Sequence, residues 1–75
     1  MDNKNGFLIT DRDRVYKAWL NATEAVRDYR QFANELDGEN GKLADRFARQ
    51  AEAEGIFAAE MLKLLQDHDV KKING

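Results

Sequence analysis

The chain contains no cysteine, no proline and no serine, and only one histidine, His68. Without cysteine there are no disulfides, thiolate metal sites or thiol nucleophiles. The side-chain hydroxyls are confined to Thr10, Thr23, Tyr16 and Tyr29. None has a base at a spacing that suggests nucleophilic catalysis. His68 stands between Asp67 and Asp69, lacks companions for metal binding or acid–base work, and reads as a solvated residue near a helix end. Long apolar runs are also missing. The longest near the N-terminus is Phe7–Leu8–Ile9, whereas a signal peptide needs about 7–15 apolar residues and a spanning helix about 20. A soluble, cytoplasmic protein is expected. The 12 basic residues are balanced by 14 acidic ones, so the concentrated basic face expected of a nucleic-acid binder is lacking. Lys71 and Lys72 are too few for an anionic-membrane patch, and no glycine-rich phosphate loop is present. These absences predict a non-enzyme with no catalytic, cofactor-binding or metal-binding residues, and no nucleic-acid or membrane partner.

What the chain does have is helix-forming residues in a helical pattern. Alanine, leucine, arginine, lysine, glutamate and glutamine are abundant, and only Gly55 interrupts the long amphipathic stretches. Residues 1–75 form one small domain, too short for a second unit. Residues 1–9 read as an extended arm whose Phe7, Leu8 and Ile9 cover one end of a helical core. Thr10–Asp11–Arg12–Asp13 reads as a helix start: Thr10 can accept from the Asp13 amide, and acidic residues suit the positive end of the helix dipole.

A first helix is predicted over 10–37. Val15, Trp19, Ala22, Val26, Tyr29, Ala33 and Leu36 follow alternating steps of four and three, an unbroken seam widened by Ala18, Ala25 and Phe32. Asp37–Gly38–Glu39–Asn40–Gly41 reads as a turn, with Gly38 in the left-handed conformation and Asn40 as the next N-cap. So short a connection makes the two helices antiparallel neighbours. A second helix is predicted over 41–67. Its apolar set is Leu43, Ala44, Phe47, Ala48, Ala51, Phe57, Ala58, Met61, Leu62, Leu64 and Leu65, within which the strict seam through Leu43 and Phe47 meets Gln50 and Glu54 and resumes at Phe57, Met61 and Leu64. Ile56 and Leu20 fall off these stripes. Residues 68–75 lose amphipathic order and read as a frayed tail.

Two helices alone bury one narrow strip each, yet both faces are wide and carry Trp19, Tyr29, Phe32, Phe47 and Phe57. The expectation is a homodimer, two all-α hairpins making a four-helix bundle. Gly55 should then have a packing reason, either the close approach of another helix, such as that of the dimer mate, or a local bend.

Tyr29, Phe32 and Ala33 in helix one, with Phe47, Ala51, Glu52, Glu54 and Met61–Leu62–Lys63–Leu64–Leu65 in helix two, give a layout that resembles the first helix pair of the rubrerythrin and ferritin-like superfamily. The resemblance spans residues 21–65 and implies a ferritin-like bundle. It also implies where metal ligands would stand, a glutamate in helix one and Glu-x-x-His in helix two. Glu54 occupies the helix-two glutamate position, Phe57 stands where the histidine would, and Ala22 falls where the helix-one glutamate would. With those ligands missing, the resemblance implies a non-catalytic structural or interaction module. The alternative is a metal-binding (iron or manganese) or redox protein whose site is completed across a homodimer by Glu54, with Glu24, Gln50 or Glu60 as helpers. Glu54 itself has three open readings: paired with Gln50 or Tyr29, turned to water, or half of a symmetric carboxylate pair.

Overall fold

In a computed structural model the backbone is described for residues 9–74 and the side chains for residues 9–68. The expected arm over 1–9 lies outside the described residues except for Ile9, which is exposed and outside any helix. Among the described residues the structure is all-helical, with α1 at Asp11–Leu36 and α2 at Gly41–Asn74.

Thr10 starts α1 with a capping box. Its hydroxyl accepts from the Asp13 amide at 3.1 Å, and the Asp13 carboxylate accepts from the Thr10 amide at 3.0 Å. Two orphan donors of the first turn are thereby satisfied. That bond from the Thr10 amide, followed by a hydrogen bond that the carboxylate accepts from the Thr10 side chain, holds the Asp13 carboxyl below its usual range, and Arg12 and Arg14 add to this.

At the other end α1 stops on Asp37, and Gly38 takes φ +89°, a conformation that side chains disfavour. The amides of Glu39 and Asn40 both reach the Leu36 carbonyl at 2.9 Å. The Asn40 side chain then accepts from the Leu43 amide at 3.1 Å and caps α2. This tight connection folds α2 back along α1 as an antiparallel neighbour.

The α1 seam falls where the four-three spacing puts it: Ala22 is buried and Val15, Trp19, Val26, Tyr29, Ala33 and Leu36 are half-buried. The α2 seam is displaced by one residue. Ala44, Ala51, Ala58 and Leu65 are the buried positions, seven apart, with Phe47, Glu54 and Met61 half-buried between them. Leu43, Phe57 and Leu64, expected in the seam, are 41%, 42% and 49% exposed. The reason is size. Alanine at every seventh position lets two helix backbones lie close, and the bulkier residue one step earlier is pushed to the flank.

The extent of α2 and the surroundings of Gly55 bear on two further expectations. Residues 68–74, expected as a tail beyond a helix ending at 67, continue α2; no proline or glycine interrupts them. Gly55 has no packing requirement within its own hairpin, since a methyl there would meet Val26 Cγ2 at 3.9 Å, an ordinary contact.

Gly55→Ala should therefore raise stability by about 1 kcal/mol through helix propensity alone, while Gly38→Ala should lower it by about 1 kcal/mol through its left-handed backbone. Urea unfolding of both variants against the parent checks the opposite signs. Asp13 gives a pH prediction. A carboxyl depressed in the folded state contributes stability that is complete above its ordinary value of 3.8 and lost as pH falls through the lower folded value. Helical circular dichroism of the parent should thus fall more steeply with acidification from about pH 5 to about pH 2 than that of Asp13→Asn.

Candidate functional site

Three places combine polar or apolar groups in a way that could serve a function: the middle of the seam at Glu54, the open end of the hairpin near His68, and the flank of α2.

Glu54 lies in the seam, half-buried, between Ala51 and Ala58. Its carboxylate accepts from the Gln50 side-chain amide at 3.1 Å, and Gln50 in turn accepts from Arg46 at 3.2 Å. Both bonds span one helical turn, so an i, i+4 ladder runs from the charged surface into the seam. Tyr29 takes no part in it. It stacks on Phe47 at 5.6 Å, and Phe32 meets Phe47 edge-on at 5.3 Å. These contacts tie the turn-proximal ends of α1 and α2 together at about 0.5–1.5 kcal/mol each beyond burial.

The positions singled out by the ferritin-like layout are not gathered around Glu54. Ala22 is buried and brings only a methyl group, while Phe57 is exposed on the flank. Glu24 and Glu60 are exposed, and neither bonds to Glu54. Among the described residues no group of three histidine, cysteine, aspartate or glutamate side chains could hold a metal ion. Within one chain, Glu54 supplies a single carboxylate with an amide beside it.

At the open end, Thr10, Asp11, Val15, Leu64, Leu65 and His68 line a shallow pocket. His68 is exposed, and its neighbours there are the α1 capping residues and the ends of both seams. The two threonine hydroxyls are committed to backbone. Thr10 caps α1, and Thr23 donates to the Leu20 carbonyl at 2.8 Å. Nothing there activates a nucleophile.

The third place was missed by reading α2 as a single stripe. Leu43, Phe57 and Leu64, with Gln50 among them, form a second row one residue ahead of the buried alanines. Phe32 on α1 is exposed as well, although its edge touches Phe47. The available signal was the heptad spacing of the small residues, which marks the closest-packed row. No helix is long and apolar enough to cross a membrane among the described residues.

The chain matches no protein-family model, no curated protein and no solved structure.

Replacing Glu54 by leucine should leave stability unchanged or raise it by about 1 kcal/mol, because a half-buried carboxylate gives way to an aliphatic group in an apolar seam. Gln50 keeps Arg46 as its partner. Thermal melting of Glu54→Leu beside Glu54→Gln checks this; a loss of stability in both would show that the carboxylate itself is needed.

Proposed function

We propose that this chain is a non-catalytic helical-hairpin module that acts by pairing with a second copy of itself into a four-helix bundle, in a structural or protein-interaction role in the cytoplasm. One observation carries the reading. Among the described residues the buried core is Ala22, Ala44, Ala51, Ala58 and Leu65, with no large side chain fully buried. The hairpin is 12 Å across in its thinnest direction, one helix thick, so among the described residues neither broad face is covered by a further element. Small domains rarely have stability to spare, and one this thin gains most by burying its large side chains against a mate. We read that bundle as ferritin-like in arrangement, on the spacing of Tyr29, Phe32, Ala33, Phe47 and Ala51.

A rival reading keeps Glu54 as one half of a metal site completed by the mate. What favours it is the position of Glu54, half-buried in the seam with a neutral amide as its hydrogen-bond partner. Light scattering with elemental analysis of the same sample separates the two. The pairing reading expects a mass twice the 8.6 kDa of one chain without stoichiometric metal. A stable 8.6 kDa species at micromolar concentration sinks it. About one iron or manganese ion per pair, lost in Glu54→Gln, would establish the metal reading instead.

A further inference from the structure

The row on α2 beside the buried alanines, exposed at Leu43, Phe57 and Leu64, has an internal symmetry. Leu43, Gln50, Phe57 and Leu64 are each seven residues apart, so the row is the same length on either side of a point between Gln50 and Phe57. A helix rises about 1.5 Å per residue, which spreads the row over about 32 Å. The stripe beside it on the outer surface carries charges about nearly the same point, half a residue away. Arg46 and Glu60 stand seven residues on either side of Ala53, and all three are exposed.

The two charges are available to a mate. Arg46 bonds to the neutral Gln50 side chain, whereas Arg49 is taken by Asp45 at 2.7 Å and Lys63 by Asp67 at 3.7 Å. Among the described residues neither Arg46 nor Glu60 meets an opposite charge.

We infer that α2 is the contact helix of the pair, meeting the α2 of a second copy antiparallel across a two-fold axis that passes beside Ala53. The inference rests on the pairing proposed above and specifies its face and direction. A two-fold interface is self-complementary: what one copy presents, its mate must match in reverse order. Around this axis Leu43 lies over the mate's strip end at Leu64, and Gln50 lies over the aromatic at 57. Arg46 comes opposite the second copy's glutamate at 60, twice over. The small Ala53 sits at the crossing, where two backbones approach most closely. A parallel pairing would set arginine beside arginine and glutamate beside glutamate, which costs free energy and selects against it. Antiparallel pairing also opposes the two helix dipoles.

The chain has no cysteine of its own, so engineered ones report the geometry without background. Disulfides form only where Cα atoms come within about 7 Å. Ala53→Cys alone should oxidise to a covalent pair. Leu43→Cys alone and Leu64→Cys alone should not, since each lies about 32 Å from its own copy in the antiparallel arrangement. The two mixed together should cross-link, and Lys17→Cys, on the exposed side of α1, should stay single. Cross-linking of Leu43→Cys with itself overturns the antiparallel direction. Failure of both Ala53→Cys and the mixture, in samples that light scattering shows to be paired, overturns this face and leaves the pairing intact. A single-chain mass for the parent protein overturns both. Arg46→Glu should weaken pairing about tenfold, and Arg46→Glu with Glu60→Arg should restore it.

Discussion

The distance between two helix backbones governs most of what this chain shows. Ala44, Ala51 and Ala58 recur on one stripe of α2 and let α1 settle close against it. Close approach excludes bulk. Leucine and phenylalanine one residue earlier cannot share the stripe and turn to the flank. Each buried methyl contributes only about 0.8 kcal/mol, so a seam of this kind orients the helices firmly while stabilising them little. The larger apolar side chains remain half-covered, and they are the groups from which an assembly would draw its free energy.

Some of this was plain in the sequence and some was not. The turn was legible because each of its residues has a chemical job: Gly38 for a positive φ and Asn40 for an amide left bare by the helix. The α1 seam was legible too, because its flanking stripes are polar or small enough that only one apolar row competes. On α2 two adjacent rows are apolar, and periodicity cannot choose between neighbours that share the same period. Hydrophobicity favoured the row through Leu43, Phe57 and Leu64. Steric fit chose the alanines. The far end of α2 shows a different limit: amphipathicity weakens after 67, yet a chain without breakers continues as helix to Asn74 on local bonds.

Of the candidate site, the link between Gln50 and Glu54 could be anticipated because four residues make one turn. The outward turn of Phe57 could not, since it follows from the displaced seam. A carboxylate in this position needs no catalytic purpose. With Arg46 and Gln50 it forms a graded polar path from solvent to seam, so the acidic group keeps a donor where water is partly excluded.

The aromatic contacts among Tyr29, Phe32 and Phe47 have a consequence for the order of folding. They lie next to the turn, so the loop that must close to form them is short, whereas Val15 and Leu65 are joined through most of the chain. Closure entropy rises with loop length and must be met before distant contacts form. Contacts beside the turn are therefore favoured to form before those at the open end. Substitutions at Phe47 should then be felt mainly in the folding rate, and those at the open end mainly in the unfolding rate.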